Sequence, residues 1–291
     1  MKMNPKIALF IGICCVSIFP VLVKSTQVSE ITSAFYRLGI AALFFVLVTF
    51  ISRSFQALQL RQYIIIISCG LLFAIDIAIW NKAINLSSAT QASLLTNLAP
   101  VWVGIGAYFF LKDKPRINFW IGTFIALCGM VLLVGWEQML HFSFDLGFLL
   151  AILSSLIYAV YIILSKRVLN EVNVLTFMSW SMISAGALLF VLALITNTEL
   201  SGFSNNTWTS LFIQGLICQF IGWMCISFAL KNMRANRVSL SLLLSAVFTG
   251  FFAWLLIDEA IHAEMIIGGI IVLGGIGITF VEKQLIRTRL S

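Results

Sequence analysis

Charged side chains are scarce in this sequence. Asp, Glu, Lys and Arg make up 10% of its 291 residues, whereas a soluble globular domain carries roughly 25%. Hydrophobic residues make up 61%, and they fall into runs long enough to cross a bilayer, which takes about 20 apolar residues per helix. The shortage of charge therefore excludes a soluble globular domain and predicts a membrane protein.

Side chains that bind metals or perform catalysis are also few. The two histidines, His141 and His262, fall in predicted loops, and the six cysteines contain no Cys-x-x-C spacing. The sequence has no phosphate-binding glycine loop and no nucleophile elbow. We therefore predict no catalytic residues, no metal site and no cofactor, and we expect a protein that is not an enzyme.

Ten long apolar runs follow one another along the chain. Each is predicted to be a helix, because lipid offers the backbone no hydrogen-bond partner outside the segment. The predicted helices cover residues 7–23, 34–51, 62–82, 91–111, 117–136, 146–165, 174–196, 209–230, 238–257 and 265–281. No small-x-small cleavage pattern follows the first run, so we expect it to be kept as a membrane helix. The predicted fold class is an all-α polytopic membrane protein with ten transmembrane helices.

Basic residues are distributed unevenly over the predicted loops. With the N-terminus in the cytoplasm, 15 of the 18 Lys and Arg residues lie on the cytoplasmic side, which leaves Lys24, Arg37 and Lys82 toward the other face. Cytoplasmic loops are enriched in Lys and Arg, so both termini are predicted to be cytoplasmic. The net charge of +7 is explained by this topology, and we predict no nucleic-acid partner.

The sequence repeats itself at a shift of 146 residues. Residues 83–133 align without a gap on residues 229–279, with 13 of 51 positions identical, including Gly122/Gly268 and Gly129/Gly275. Five helices per copy is an odd number, so the second copy must enter the membrane in the opposite sense. We predict an inverted 5+5 repeat with halves at residues 1–140 and 141–291, an arrangement typical of transporters with a site near the membrane midplane.

Several stretches carry a family resemblance. ATQASLLTNLAPVWVGIGAYFFLKDK and the glycine-spaced IGTFIALCGMVLL after it resemble the drug/metabolite transporter superfamily, specifically its ten-helix EamA-type permeases. FYRLGIAALFF resembles the second helix of that family, and FFAWLLIDEAIHAEMIIGGIIVLGGI resembles the second-copy signature. Asp113 replaces a more usual glutamate. Ala246 stands where the first copy has Pro100, so we expect the two halves to be kinked unequally.

The resemblance implies a secondary transporter of the bacterial inner membrane that works by alternating access. Family members mostly export amino acids, related metabolites or drugs, which favours export of an amino acid or similar compound. The alternative is an importer of a charged metabolite, such as a nucleoside-type or amine compound. A membrane sensor or embedded enzyme is disfavoured. The expected partners are a small-molecule substrate and the lipid bilayer, and a coupled proton and a monomer or homodimer state are left open.

Asp76 is the most unusual residue of the predicted helices. It interrupts the apolar run GLLFAIDIAIWNKAI, with no Lys or Arg at i±3 or i±4. An acid at the centre of a lipid-exposed helix costs about 2.5–3.5 kcal/mol on insertion scales, so such residues face a cavity or a partner. We expect Asp76 either to bind a substrate amine or carry a coupling proton, or to make a structural hydrogen bond to a neighbouring helix.

The other candidates are polar or aromatic residues within the predicted helices. They are Trp80, Asn81, Asn97, Tyr158, Gln219, Trp223 and Ser245. The resemblance implies that they line a cavity between helices 1, 3, 4, 6, 8 and 9. Pro100 removes a backbone donor and is predicted to break helix 4 beside that cavity. Packing is the alternative role for these residues, since Trp is common at membrane interfaces and Ser at helix contacts.

Overall fold

The computed structural model describes residues 3–24, 26, 28–87, 89–112, 114–135 and 144–281, without the side chains of residues 89 and 90. Asp113, His141 and the predicted boundary between residues 140 and 141 lie outside this set. Over the described residues the fold is helical, and ten helices are long and apolar enough to span a membrane. The prediction of an all-α protein with ten such helices is confirmed.

The ten helices are numbered here in chain order. They are α1 (Pro5–Lys24), α2 (Glu30–Ile51), α3 (Leu60–Leu86), α4 (Gln91–Phe110), α5 (Ile117–Val134), α6 (Leu146–Leu169), α7 (Val174–Ile195), α8 (Asn205–Asn232), α9 (Ala235–Ile257) and α10 (Ala263–Phe280). Each end lies within about four residues of its predicted position, which is the usual precision for helix boundaries. The first helix is interrupted at Ile18. The eighth has π-helical geometry over Gln214–Gly222.

Helices α4 and α9 are each broken at equivalent positions. The first consists of Ala89–Thr96 and Ala99–Phe110, and the second of Ala235–Ser241 and Leu244–Ile257. A break is therefore present in both halves, although Ala246 stands in α9 where α4 has Pro100. Pro100 lies just after the break in α4, whereas α9 breaks without proline through short i→i+3 bonds, such as Ala246 N–H to the Leu243 carbonyl at 3.2 Å. Local tightening of this kind satisfies backbone groups that a break would otherwise leave exposed to lipid.

Helices α5 and α10 make the most extensive helix contact of the fold. Their backbones touch at glycines: a Cβ on Gly275 would lie 2.6 Å from the Gly122 carbonyl oxygen, and one on Gly268 would lie 2.7 Å from that of Gly129. Small residues permit such close approach between membrane helices. The pairing of 122 with 275 and 129 with 268 makes the helices antiparallel. The repeat aligns Gly122 with Gly268 and Gly129 with Gly275, whereas the contacts pair them in the opposite order. The antiparallel direction therefore agrees with the predicted inversion.

The two ends of the bundle can be distinguished by contacts between distant residues. At one end Lys6 lies 5.4 Å from the Phe280 ring centroid, and Asn118 Nδ2 donates to the Val281 carbonyl at 3.2 Å. At the other end Lys24 Nζ forms an ion pair with Glu259 Oε2 at 3.0 Å. The segments before α5 and before α10 therefore lie at opposite ends, as an inverted repeat requires.

We predict that Gly275→Val will destabilise the protein and that Gly274→Val will not. A Cβ at position 275 meets the backbone of α5, whereas nothing lies within 4 Å of one at position 274. Overpacking of this kind typically costs about 1–3 kcal/mol. Thermal unfolding of the detergent-purified variants measures the difference. Equal losses of stability in the two variants would show that the glycine contact does not hold α5 against α10.

Candidate substrate site

Asp76 faces α6 from the middle of α3. Its side chain is only 9% exposed, and its Oδ1 accepts a hydrogen bond from Ser154 Oγ at 2.5 Å. Ser154 is completely buried, and α3 and α6 pack extensively along each other. The carboxyl group is thus placed at a helix interface, away from lipid, as an intramembrane acid must be. The two residues come from opposite predicted halves of the chain.

Four aromatic residues form a cluster on the helices that carry Asp76 and Ser154 and on α8. They are Phe73, Tyr158, Tyr161 and Trp223. The Trp223 ring lies 4.7 Å from Phe73 and 6.4 Å from Tyr158, both nearly edge-to-face, a favoured arrangement for aromatic pairs. Phe73 precedes Asp76 by three residues and Tyr158 follows Ser154 by four, so each shares a helix face with the polar pair. The aromatic cluster therefore lies beside the carboxyl group.

Arg37 of α2 is a second charged residue of the interior. It is 9% exposed, and its guanidinium carbon lies 4.0 Å from the centroid of the Phe19 ring, within the range of a cation–π contact. Its Nε has no hydrogen-bond partner among the described residues. Its charge is close enough to Asp76 for the two to interact. Arg37 lies about 10 Å along α2 from Glu30, at 1.5 Å per residue. It is therefore inside the predicted second helix, nearer the end that the charge distribution predicts to face away from the cytoplasm.

Gln219 lies in the π-helical part of α8 and contacts α7. Its side chain is completely buried, and its Nε2 approaches Met182 Sδ of α7 at 3.3 Å. Its Oε1 has no hydrogen-bond partner among the described residues. Buried amide oxygens are normally paired, so Gln219 keeps an acceptor that a ligand, a water molecule or a moved helix can satisfy.

Within the described residues Asp76 hydrogen-bonds to Ser154, and no hydrogen bond joins it to the remaining candidates. Trp80 and Asn81 continue α3 beyond Asp76, half-buried and 7% exposed respectively. Asn97 lies at the break in α4, and Ser245 directly follows the break in α9, both half-buried. Pro100 is buried just after the α4 break. Tyr158 and Trp223 are thus the predicted residues that the fold brings to the aspartate.

Four site residues were not among the sequence-based candidates: Arg37, Phe73, Ser154 and Tyr161. Arg37 carries a visible signal, since an arginine inside FYRLGIAALFF is an ionisable residue in a membrane helix. Ser154, Tyr158 and Tyr161 are spaced i, i+4 and i+7, which places them on one helix face. The spacing predicts that these side chains share one face of α6. The structure shows that this face contacts Asp76 of α3 and Trp223 of α8.

The chain matches proteins of one transporter family. A model of the EamA-like transporter family covers residues 5–135 and again 145–281. The chain belongs to the EamA-like transporter family. It is 24% identical over 250 residues to YoaV of Bacillus subtilis (strain 168), named an uncharacterized transporter, with 82% of this chain and 83% of that one aligned. It is 26% identical over 210 residues to an uncharacterized transporter of Archaeoglobus fulgidus, covering 69% and 70% of the two chains.

A solved crystal structure shares the fold of this EamA-like chain. The two superimpose with a TM-score of 0.83 over 99% of each chain, at 17% sequence identity. At this identity the likeness concerns the fold alone. The family and its named relatives make this chain a multi-pass membrane transporter, for which a small-molecule substrate is implied, and they point away from an enzyme.

We predict that Asp76 and Ser154 stabilise the fold together. Ser154→Ala leaves the buried carboxyl group without the hydroxyl donor, and breaking a hydrogen bond to a buried charged group costs about 1–3 kcal/mol. A double-mutant cycle of Asp76→Ala and Ser154→Ala, read by thermal unfolding in detergent, isolates their coupling. We expect the double variant to lose less stability than the two single losses added together. Strict additivity would mean that the two side chains do not interact.

Proposed function

We propose that this protein is a secondary transporter that moves an amino acid or a related amine-bearing metabolite across the bacterial inner membrane by alternating access. The observation that carries the proposal is the buried Asp76 carboxyl group beside the aromatic cluster, at the interface of helices from both predicted halves. The halves are taken as residues 1–140 and 141–291. The family resemblance favours export, and both termini are placed in the cytoplasm by the charge distribution.

The aspartate and the aromatic rings suit a protonated amine. A carboxylate attracts an ammonium group, and the faces of Trp and Tyr rings add cation–π attraction that grows when the site is dry. Both Tyr158 and Trp223 are positioned for this role by their contact with each other. Ser154 would keep the carboxylate oriented while the ligand occupies its other oxygen. The role of Asp76 as a carrier of a coupled proton is compatible with the same position.

Arg37 suits the opposite end of an amino acid. Its guanidinium group is held on the Phe19 ring, and its Nε is left without a partner among the described residues. Guanidinium groups bind carboxylates through paired hydrogen bonds. A substrate that carries both an ammonium and a carboxylate group would thus meet Asp76 with one end and Arg37 with the other. This arrangement favours a zwitterion over a simple amine.

Ligand entry requires the helices around Asp76 to separate. The carboxyl group is 9% exposed and Ser154 is completely buried, so the described conformation holds the site closed. The equivalent breaks in α4 and α9 are the kind of element-terminal positions that absorb backbone rotation during domain closure. Two inverted halves with a hinge in each would give an inward-open and an outward-open state of similar energy.

We predict that Asp76→Asn abolishes substrate binding while the fold persists. The asparagine side chain keeps an oxygen that accepts from Ser154 but lacks the negative charge that holds an ammonium group. The measurement is a thermal-shift screen of purified protein against amino acids, amines and nucleosides, because a ligand at 100 times its dissociation constant stabilises by about 2.7 kcal/mol. The wild-type melting temperature should rise with an amino acid and stay constant in the variant.

Asp258→Asn is the matched control for this variant. Asp258 is an exposed loop residue with φ of 53°, a left-handed conformation that asparagine adopts readily. The control should respond to the ligand as the wild type does. A ligand shift that survives Asp76→Asn would remove Asp76 from the site. Counterflow in proteoliposomes with the identified ligand then tests transport, and export or uptake is read from the direction of the gradient that drives accumulation.

A further inference from the structure

A cavity of about 550 Å³ lies among the ends of α3, α4, α6 and α9, apart from the Asp76 site. Its lining includes residues from the first turn of α3, the segment after α4, the last turn of α6 and the start of α9. The charged and amide-bearing residues of the lining are Arg61, Gln62, Lys112, Lys166, Arg167, Asn170 and Glu171. The proposed transport function leaves this cavity without a role.

Basic side chains predominate among the described residues that line the cavity. They are Arg61, Lys112, Lys166 and Arg167, against the carboxylate of Glu171. That carboxylate already accepts a hydrogen bond from Gln62 Nε2 at 3.0 Å. Several cations converging on one cavity of this size create an attractive site for a phosphate group.

Lys166 is fixed in the wall of the cavity. It is 8% exposed, and its Nζ donates to the carbonyl oxygens of Leu230 and Lys231 at 2.9 Å each. These carbonyls lie at the C-terminal end of α8, where a cation is favourable. Lys166 is therefore a structural part of the cavity wall.

The other three cations are exposed and open to a ligand. No described carboxylate lies within ion-pair distance of Arg61, Lys112 or Arg167, and within that part of the chain the ion pair is Lys24–Glu259 at the opposite end. Long flexible basic side chains of this kind can turn toward an anion that enters between them.

The surface beside the cavity is apolar and faces lipid. Leu60 and Ile64 of α3 are 75% and 57% exposed, and Phe109 and Phe110 of α4 are 72% and 65% exposed. Arg61 is the second residue of α3, and Lys112 lies two residues after the end of α4, so the charges stand at the level where a membrane helix meets the headgroups. A basic cavity between helix ends, bordered by apolar side chains, matches a phosphate headgroup with its acyl chains.

We propose that this cavity binds the phosphate of an anionic phospholipid, with Arg61, Lys112 and Arg167 around the headgroup. A soluble phosphate compound would meet the same cations but would leave the apolar border unused. The apolar border therefore favours the lipid. The cavity is distinct from the substrate site, because neither Asp76, Ser154 nor any residue of the aromatic cluster is among its lining residues.

The chain provides a matched set of cations that should not bind lipid in this way. Arg116, Arg234 and Arg237 lie at the same end of the bundle, around a space of only about 20 Å³. A volume of this size holds about one water molecule. Neutralising two of these residues changes the net charge of that end as much as neutralising Arg61 and Lys112, without touching the cavity.

The test is native mass spectrometry of the full-length protein with added phosphatidylglycerol, cardiolipin or phosphatidylcholine. Wild-type protein should retain the anionic lipids in preference to phosphatidylcholine. Arg61→Gln/Lys112→Gln should bind them roughly 10- to 30-fold more weakly, since each basic residue near an anionic surface contributes about a factor of five. Arg116→Gln/Arg234→Gln should bind them as the wild type does. Equal loss in both double variants, or unchanged binding in the first, overturns the proposal.

Inorganic phosphate distinguishes the two sources of the anion. If the site takes a lipid, phosphate at about 10 mM should leave phosphatidylglycerol bound, since the acyl chains add apolar contacts at about 25 cal/mol per Å². Displacement of the lipid by phosphate assigns the cavity to a soluble anion and overturns the lipid assignment. The single variants Arg61→Gln and Lys112→Gln, both at exposed positions, cover the case in which the double variant does not fold. Each should weaken binding about fivefold.

Discussion

Lipid offers a polar group no hydrogen-bond partner, and this constraint decides where the polar residues of the interior lie. Asp76 reaches Ser154, Arg37 lies on the Phe19 ring, and Lys166 reaches the carbonyls at the end of α8. Each of these contacts joins two different helices. The polar interior is therefore concentrated at helix interfaces, which are also the places that a movement of the helices opens. Asp76 and Arg37, which satisfy this constraint within the fold, also belong to the proposed binding site.

The symmetry of the scaffold does not extend to the site. Helices α5 and α10 meet through repeat-matched glycines, and α4 and α9 break at matched positions. At the shift of 146 residues the position matched to Asp76 is Gly222, which has no acidic side chain. A single carboxyl group on one side of a nearly symmetric bundle gives a bound substrate one preferred orientation. In the proposed alternating-access cycle, the two halves would exchange conformations while the ligand keeps its contacts with Asp76.

Sequence patterns predict the helices well and their contacts poorly. The ten spans follow from hydropathy because transfer to lipid depends on composition, and each helix end was placed within about four residues. The sequence does not predict the break in α9, because this helix has no proline there. The π-helical stretch of α8 likewise has no sequence signal that we recognise. Asp76 was found because it is an isolated charge in an apolar run. Its partner Ser154, 78 residues away, depends on how α3 packs on α6, which periodicity within one helix cannot specify.

The hydrogen bonds and the ion pair that join helices of the two predicted halves differ in strength from one part of the bundle to another. This difference indicates which helices can move. At one end of α2 and α7 the loops between helices are joined by hydrogen bonds, among them Asn173 Nδ2 to the Ser54 carbonyl at 2.8 Å. At the other end Thr32 Oγ1 donates to the Glu199 carbonyl at 2.8 Å. Helices α2 and α7 are thus held at both ends.

The ends of α1 and α9 are joined by the Lys24–Glu259 ion pair, whose side chains are 64% and 49% exposed. An exposed pair of this kind contributes about 0–1 kcal/mol, much less than a set of partly buried hydrogen bonds. Opening the bundle at this end therefore breaks the weaker connection. The same movement would lead toward Asp76 past Phe19 and Arg37. In the proposed transport cycle, an entering substrate would therefore meet the guanidinium group first and the carboxyl group second.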